Sequence, residues 1–304
     1  MSTVTIVVPA FNAGKTLKDT LNSILAQTYT DWDLIVVDDG SQDDTFSIAE
    51  EYSMNDERIH TIHQENKGSA GAYNTGISAA ETTWICICSA DDLLMPDHLE
   101  TVAKAIERSE GDAVFTTSGA RYLQPDGSMI IDPVEPLDDS YHEEFPRDVA
   151  RRGLYGVGAV YKKEMFEKLG GYTEHIYSED HDLWLRAFAA GYRFLHIYSS
   201  TTIYRISATQ KSADNDRVIK SQEEIVNKVL AGDIESDEVR RGIIEGAALR
   251  KAETDAYYAS LDAKASKFNL GVIKSKIKRG PKIVTAPLGV LYRFARRVVR
   301  GGHS

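Results

Sequence analysis

The sequence predicts an α/β fold, in which a mostly parallel sheet is flanked by helices and followed by a helical C-terminal extension. The first observation is a set of short, continuous apolar runs rich in β-branched residues, which is typical of strands buried on both faces. They cover residues 4–8, 34–37, 59–63 and 84–88. The second observation is that segments of helical period lie between them, around residues 17–25, 48–52 and 70–80. Right-handed crossovers in this βαβαβαβ order place the ligand-binding loops at the carboxyl ends of the strands.

The remaining elements follow in chain order. A helix is expected from Pro96-Asp97, and residues 112–117 predict another strand. The stretch 121–152 holds four of the eight prolines together with Asp126-Gly127, which predicts turns and a hairpin. Further along, the strand pattern gives way to helical ones. We therefore divide the chain into an α/β domain, a helical extension and a basic amphipathic tail, at residues 1–210, 211–263 and 264–304.

The composition excludes several classes of protein. The chain has 304 residues, of which 42% are hydrophobic and 27% charged, as in an ordinary globular protein with a sizeable core. Its two cysteines, Cys86 and Cys88, are expected to be buried structural residues. No apolar run approaches the ~18 residues needed to cross a bilayer, and the first residues lack the pattern of a signal peptide. We therefore expect a cytoplasmic protein.

The net charge of −11 is the sum of two unlike parts. All 46 acidic residues lie at or before Asp262, so the body carries −22 and residues 264–304 carry +11. A helix opened by Pro287 would have apolar residues on one side and Arg293, Arg296, Arg297 and Arg300 on the other. This pattern predicts an interfacial helix that lies on an anionic membrane surface. The protein would then be a peripheral protein at the cytoplasmic face of the membrane. The alternative is a helix docked on the acidic body. A nucleic acid partner is disfavoured because the body would repel it.

The loops at the strand ends carry the candidate chemistry. Pro9-Ala10-Phe11-Asn12 follows the first strand and lacks the glycine patterns of dinucleotide sites and phosphate loops. Asp38 and Asp39 end the second strand, where a carboxylate can accept hydrogen bonds from ribose hydroxyls or an imide N–H. We favour such a role for Asp39, and helix capping for the acidic residues that follow it.

Two further acidic pairs stand out. Asp91 and Asp92 end the fourth strand, and adjacent carboxylates repel each other unless a cation relieves them. Mg²⁺ or Mn²⁺, bound through oxygen and shared with phosphates, would do so. Glu179 and Asp180 begin a helix further along the chain. Capping is one interpretation of that pair, and a general base in a cleft is the other.

Together these pieces resemble family 2 glycosyltransferases of the GT-A fold, which are inverting enzymes that use nucleotide-sugar donors. The resemblance covers roughly residues 4–205. It rests on the order and spacing of Val7-Val8-Pro9-Ala10-Phe11-Asn12, Val37-Asp38-Asp39-Gly40-Ser41, Asn66-Lys67-Gly68 with Asn74-Thr75-Gly76, Ala90-Asp91-Asp92, Gly170-Gly171-Tyr172, and Glu179-Asp180 through Arg186. It implies a GT-A type, Rossmann-like, mostly parallel sheet flanked by helices, and makes residues 1–210 the catalytic domain.

The resemblance also implies a role for each candidate residue. Asp180 would be the catalytic base, with Glu179 beside it, and Asp91 and Asp92 would hold the metal. Gly156 and Gly158 would lie in the donor and acceptor sugar region. The donor nucleotide would be bound by Pro9, Ala10, Asn12, Asp39, Lys67 and Asp91.

The implied reaction transfers a sugar from a nucleotide-diphosphate sugar, with a UDP-sugar favoured, to a hydroxyl of a glycan or lipid-linked acceptor. The process would be the synthesis of a cell-surface polysaccharide, and the cofactor would be Mn²⁺ or Mg²⁺. Both a monomer and an oligomer are compatible with the sequence. The alternative is a non-catalytic member of the fold that binds nucleotide-sugars or serves as a scaffold.

Three positions depart from the family pattern. Ser89 stands at the first position of an Asp-x-Asp-Asp metal motif, and Tyr73 stands where many members have an arginine. Ile206 stands where many have a metal-binding histidine. The first and last departures keep the non-catalytic alternative open. A nucleotidyltransferase would need a basic glycine-rich loop after the first strand, and a receiver or dehalogenase-type phosphatase would not account for Glu179-Asp180.

Overall fold

The computed structural model describes residues 4–108, 114–117, 121–131, 141–152, 156–197, 200–207, 210–211 and 214–267. Its strands are β1 (Val4–Ala10), β2 (Trp32–Asp38), β3 (Ile59–His63), β4 (Trp84–Ile87), β5 (Leu93–Leu94), β6 (Val114–Thr117), β7 (Arg121–Leu123), β8 (Met129–Ile131), β9 (Val160–Lys162), β10 (Phe194–Ile197) and β11 (Thr202–Arg205). Its helices are α1 (Leu17–Leu25), α2 (Thr45–Asn55), α3 (Gly68–Ala79), α4 (His98–Arg108), α5 (Tyr141–Arg152), α6 (Lys163–Leu169), α7 (Glu179–Ala189), α8 (Asn215–Leu230) and α9 (Asp237–Lys267).

Within these residues, seven strands form the main sheet in the order β10-β6-β9-β4-β1-β2-β3. Strand β1 pairs in parallel with both β2 and β4, and β2 pairs in parallel with β3. Strand β9 is antiparallel to β4 and to β6, and it separates β4 from the parallel pair β6 and β10. The predicted α/β fold with a mostly parallel sheet is therefore confirmed.

Both faces of the central strands are covered, which explains their continuous apolar runs. On β1, Val7 packs into the apolar cluster that includes α3, whereas Ile6 and Val8 pack into the cluster that includes α1. Helix α3 approaches the sheet so closely that a Cβ on Gly76 would lie 2.4 Å from Val7 Cγ1. This close packing fixes the start of α3 above the ends of β1 and β2, where the candidate site lies.

A smaller sheet, in the order β5-β11-β7-β8, lies beside the main one in the described residues. Strands β7 and β8 form the predicted hairpin, and its turn contains Gly127 at φ 82°. The sequence pattern does not predict a helix at the end of that stretch, yet residues 141–152 form helix α5. Pro146 costs this helix one backbone hydrogen bond, but Val149 and Ala150 are fully buried in the core and compensate for it.

The helical extension packs back on the α/β domain. Helix α8 lies against α7, and α9 lies along α5, where Arg151 Nε donates to Glu253 Oε1 at 3.0 Å. A Cβ on Gly246 would lie only 2.1 Å from the carbonyl oxygen of Arg147, so the two helices are in backbone contact. Because α9 ends at Lys267, nearly all of the predicted tail at 264–304 lies outside the described residues. None of the helices in the described part of the chain has the length and hydropathy of a bilayer span.

Candidate active site

The carboxylate of Asp39 connects the end of β2 to the start of α3. Its Oδ1 accepts hydrogen bonds from Lys67 N at 2.8 Å and from Gln64 Nε2 at 2.6 Å. Its Oδ2 accepts one from Gly68 N, also at 2.8 Å. These backbone N–H groups are unsatisfied donors at a helix start, so Asp39 caps α3. The residue is 2% exposed, and because each carboxylate oxygen can accept two hydrogen bonds, one acceptor position of Oδ2 is unused.

The loop after β1 is fastened to the loop after β2. Asn12 adopts a positive φ of 51°. Its backbone N–H donates to Ser41 Oγ, and its side-chain Oδ1 accepts from Gln42 N, both at 2.9 Å. Pro9 is half-buried and Ala10 is buried. The predicted nucleobase pocket is therefore a rigid double loop, and the amide of Asn12 helps to hold it together.

Phe11 projects from this rigid loop, and our sequence reasoning left it out of the candidate residues. It is 52% exposed, the most of any phenylalanine whose exposure is described. An exposed aromatic ring held on a fixed loop is a surface on which a planar base can stack.

The two aspartates after β4 have different surroundings. Asp92 is 2% exposed, and its Oδ1 accepts from Arg205 N at 2.9 Å, which ties β11 to this loop. Asp91 is half-buried, and no other residue in the described part of the chain donates a hydrogen bond to its carboxylate. Burial raises the pKa of Asp91, and the charge of Arg205 opposes that rise. Of the two predicted metal ligands, Asp91 is the more accessible one.

Asp180 lies in the first turn of α7 with both oxygens closely surrounded. Its Oδ1 accepts a hydrogen bond from Tyr172 Oη at 3.1 Å. Its Oδ2 faces Gly156, where a Cβ would lie only 2.4 Å away. Burial raises the pKa of the Asp180 carboxyl to about 7, and the Glu179 charge adds to the rise, whereas the Tyr172 hydrogen bond and Lys211 oppose it.

Glu179 is held by a separate set of partners. Its Oε1 accepts from Ser69 Oγ at 2.5 Å, and its Oε2 forms an ion pair with Lys211 Nζ. Lys211 Nζ also lies 5.2 Å from the centre of the Tyr177 ring. Glu179 thereby links α3, α7 and the segment after β11. Ser69 and Lys211 are absent from our predicted site, because nothing in their local sequence marks them.

Of the three remaining predicted residues, one lies near Asp180 and two lie elsewhere. The Cα of Gly156 lies against Asp180, as described above. Gly158, at φ 72°, packs on buried His98 and Thr202 instead, where a Cβ would lie 2.6 Å from each. The side chain of Lys67 lies against Gly71 in a shallow groove of about 420 Å³ along α3, and only its backbone N–H contacts Asp39.

Tyr73 joins the acidic loop after β4 to the surroundings of Asp180. Its hydroxyl lies 3.4 Å from Ser89 Oγ, and its ring stacks on that of Tyr172 at a centroid distance of 5.1 Å. Tyr172 in turn donates to Asp180. The structure thus joins the loop of Asp91-Asp92 and the helix start at Glu179-Asp180, which lie about 90 residues apart in the sequence, in one network of side chains.

Comparison with known proteins identifies the family. A sequence model described as Glycosyl transferase family 2 matches residues 5–170, which is more than half of the chain. The chain therefore belongs to glycosyl transferase family 2.

Two bacterial relatives show how far the similarity extends. Glycosyltransferase GlyG of Streptococcus pneumoniae serotype 4 is 39% identical over 129 residues, which are 42% of this chain and 42% of that protein. The uncharacterized glycosyltransferase EpsJ of Bacillus subtilis is 30% identical over 212 residues, which are 66% of this chain and 60% of that protein. The chain thus spans less than two thirds of the length of these relatives.

Solved structures confirm the GT-A fold. The mannosyltransferase PcManGT from Pyrobaculum calidifontis, in complex with GDP-Man and Mn²⁺, superposes with a TM-score of 0.64 at 19% identity and covers 97% of this chain and 79% of its own. S. aureus TarS 1-349, in complex with UDP-GlcNAc, gives a TM-score of 0.61 at 17% identity, covering 80% and 71%.

Proposed function

We propose that the protein transfers a sugar from a nucleotide-diphosphate sugar to a hydroxyl group, with inversion at the anomeric carbon. The observation that carries this proposal is the network that joins the loop of Asp91 to the carboxylate of Asp180 through Tyr73 and Tyr172. A sugar transferase needs one site for the departing diphosphate and another for the attacking hydroxyl, at a short distance from each other.

Asp180 has the environment of a general base. A base is most effective when its pKa lies near the operating pH, and burial raises the pKa of this carboxyl to about 7. Its Oδ1 is held by Tyr172, and its Oδ2 faces the bare Cα of Gly156. Gly156 tolerates no side chain because a Cβ would collide with Oδ2, so an acceptor hydroxyl would reach the half-buried carboxylate from its solvent-exposed side. The carboxylate would take the proton of that hydroxyl as its oxygen attacks the sugar from the face opposite the diphosphate.

The residues fit a divalent metal that is shared with the donor. The described residues contain no group of three or more His, Cys, Asp or Glu that could hold a metal alone. Mg²⁺ is commonly bound by one or two carboxylates together with substrate phosphates, and Asp91 offers one such carboxylate. When bound, Mn²⁺ or Mg²⁺ would neutralise charge on the departing diphosphate. Asp92 is better suited to fixing the loop that presents Asp91.

The donor nucleotide would lie across the double loop. Phe11 offers an exposed ring to the base, and Asp39 retains one acceptor position for the base or the ribose. The solved structures named above contain GDP-Man and UDP-GlcNAc, which supports a nucleotide-sugar donor. We favour a UDP-sugar on the resemblance of the sequence alone.

We infer that the acceptor is a glycan or a lipid-linked glycan in cell-surface polysaccharide synthesis. One relative, the putative teichuronic acid biosynthesis glycosyltransferase TuaG of Bacillus subtilis, is 33% identical over 141 residues, or 46% of this chain and 52% of that protein. The polysaccharide role named for that protein supports the same class of product here.

The first test is a panel of UDP- and GDP-sugars with Mn²⁺, in which donor binding and donor hydrolysis are measured. We expect at least one donor to bind and to be hydrolysed. With an acceptor in hand, NMR of the product should show the anomeric configuration opposite to that of the donor. A protein that binds donors without cleaving or transferring them would favour the non-catalytic alternative, and binding to none would contradict the proposal.

The second test replaces the base. Asp180→Asn should lower the rate by ~10²–10⁴-fold and leave donor affinity unchanged, because the amide keeps the size of the carboxyl but accepts no proton. Asp233→Asn is the matched control, since Asp233 is exposed in the loop between α8 and α9. Near-normal turnover by Asp180→Asn would remove Asp180 from the mechanism.

A further inference from the structure

Tyr172 makes the hydrogen bond that orients the Asp180 carboxylate. Its hydroxyl donates to Asp180 Oδ1 at 3.1 Å, and the residue is only 2% exposed. The Tyr161 hydroxyl also hydrogen-bonds with that of Tyr172, so the protein holds the phenol between the Asp180 carboxylate and a second buried hydroxyl. The other oxygen, Oδ2, faces the backbone at Gly156.

The backbone of Tyr172 is itself fixed by α3. Asn74 Oδ1 accepts from Tyr172 N at 2.8 Å, and Asn74 Nδ2 donates to Tyr172 O at 2.9 Å. The neighbouring Gly171, at φ 76°, leaves room for this contact, since a Cβ there would lie 2.5 Å from Asn74 Oδ1. One amide side chain thus satisfies both backbone groups of Tyr172 and holds it in register with α3.

The ring of Tyr172 is packed on two sides. It stacks on Tyr73 at 5.1 Å between centroids, and it contacts Phe166 at 5.6 Å. Tyr161 lies in the same aromatic cluster, and its hydroxyl accepts from Trp184 Nε1 at 2.8 Å. Trp184 lies one helical turn after Asp180 on α7. The phenol therefore has little freedom to rotate away from the carboxylate.

We propose that Tyr172 is a positioning residue, which aims the Asp180 carboxylate at the acceptor and favours its ionised form. The inference rests on the proposed function, since it assigns a role to a group that acts through the base. A hydroxyl donates a stronger hydrogen bond to a charged carboxylate than to the carbonyl oxygen of a protonated carboxyl, so the Tyr172 hydroxyl favours the ionised form.

The charged and titratable groups that act on Asp180 come from several elements. The carboxylate of Glu179 opposes ionisation, whereas Lys211 and the Tyr172 hydroxyl favour it. The buried phenols of Tyr73, Tyr161 and Tyr172 have pKa values well above the ordinary one, chiefly because of burial. They stay protonated while Asp180 titrates, so the change at neutral pH is that of the carboxyl.

The experiment is Tyr172→Phe, which removes the hydroxyl and keeps the ring. The acid limb of the kcat–pH profile should move up by about one pH unit, equivalent to ~1.4 kcal/mol. The donor KM should stay within about twofold, and the rate should recover at high pH. Tyr52→Phe is the control, since its hydroxyl bonds to Asn22 on α1 and should not move the profile.

A second readout separates this inference from the proposed function. NMR of ¹³C-aspartate-labelled protein, with the Asp180 signal assigned through Asp180→Asn, follows the same carboxyl without turnover. The titration midpoint of Asp180 should rise in Tyr172→Phe. If that variant does not fold, Asn74→Ala takes its place, and the same rise is expected there. An unchanged midpoint, or an equal loss of rate at every pH, would overturn the positioning role. If the wild-type protein cleaves no donor but the midpoint rises in Tyr172→Phe, the proposed function fails and the control of Asp180 ionisation by Tyr172 stands.

Discussion

Four aspartates that look alike in the sequence do different work in the folded chain. Asp39 accepts three hydrogen bonds and caps α3. Asp92 is buried against the backbone of Arg205, whereas the carboxylate of its neighbour Asp91 is open to a ligand. Asp180 combines partial burial, one hydrogen bond and a bare glycine opposite its second oxygen. The chemistry of each follows from which N–H or O–H groups the fold has already placed around it.

The contrast between Asp91 and Asp92 gives a prediction. Asp91→Ala should weaken Mn²⁺-dependent donor binding by about tenfold or more, or ~1.4 kcal/mol, and leave stability nearly unchanged. Asp92→Ala should lower the free energy of unfolding by ~1–3 kcal/mol, because Arg205 N–H loses its buried acceptor. Calorimetric titration and thermal unfolding would measure the two effects.

The reverse result would reassign the metal ligand. If Asp92→Ala abolished metal-dependent binding in a protein of normal stability, while Asp91→Ala bound normally, the donor would be held on the other side of the loop. Asp97→Asn serves as a control for loss of charge near this loop, because Asp97 is exposed.

At the scale of elements, the contact between α5 and α9 attaches the helical extension to the α/β domain. The helices touch through two glycines of α9 that face α5. At Gly242 a Cβ would be 3.4 Å from the nearest atom of α5, whereas at Gly246 it would be 2.1 Å from Arg147 O. Helix α5 also contacts α7, which carries Asp180. The extension therefore supports the element that carries the proposed base.

These two glycines form a matched pair for mutagenesis. Gly246→Ala should lower the midpoint of thermal unfolding by several degrees, because the added methyl group forces α9 away from the backbone of α5. Gly242→Ala should be neutral or stabilising by up to ~1 kcal/mol, since alanine favours a helix over glycine. Equal midpoints for the two variants would mean that the α5–α9 contact does not limit stability.

At the scale of the whole molecule, the charge of the chain is divided between an acidic body and a basic end. Residues 264–304 carry +11 against −22 for the remainder. The described part of this end is the last turn of α9. The membrane-surface helix predicted there stays a prediction, and it would bring the proposed active site close to a lipid-linked acceptor.

Truncation tests that prediction directly. Deleting residues 268–304, beyond the last residue of α9, should abolish co-sedimentation with vesicles rich in anionic lipid and leave donor hydrolysis intact. The full chain should lose binding as salt is raised, because each basic residue near such a surface contributes ~1 kcal/mol of electrostatic attraction. Unchanged sedimentation of the truncated protein would refute the anchor. If the full chain did not bind the vesicles even at low salt, and the truncated protein was less stable than the full chain, the tail would be docked on the acidic body.

The sequence could predict the central sheet because its signal is local. Continuous apolar runs mark β1 to β4, and the helical period marks the helices between them, so the α/β fold and the strand ends follow. The signal failed at α5, where Pro146 and the surrounding prolines suggested turns. That helix is stabilised by contacts with α7 and α9, which lie far away in the sequence and leave no local pattern.

The candidate site was predictable to the same extent. Asp39, Asp91 and Asp180 lie at strand ends or at a helix start, and such positions can be recognised from the amino-acid sequence alone. Tyr73 and Tyr172 stand out in the sequence only as parts of family motifs, and Ser69 and Lys211 do not stand out at all. Their contacts with the acidic residues form only when distant segments of the chain assemble. The sequence by itself thus determined the type of fold, the family and the acidic positions, since these depend on periodicity and motif order. Only the tertiary structure decided which carboxylates are already bound by the protein and which stay open, because hydrogen bonding and burial depend on residues that meet in space.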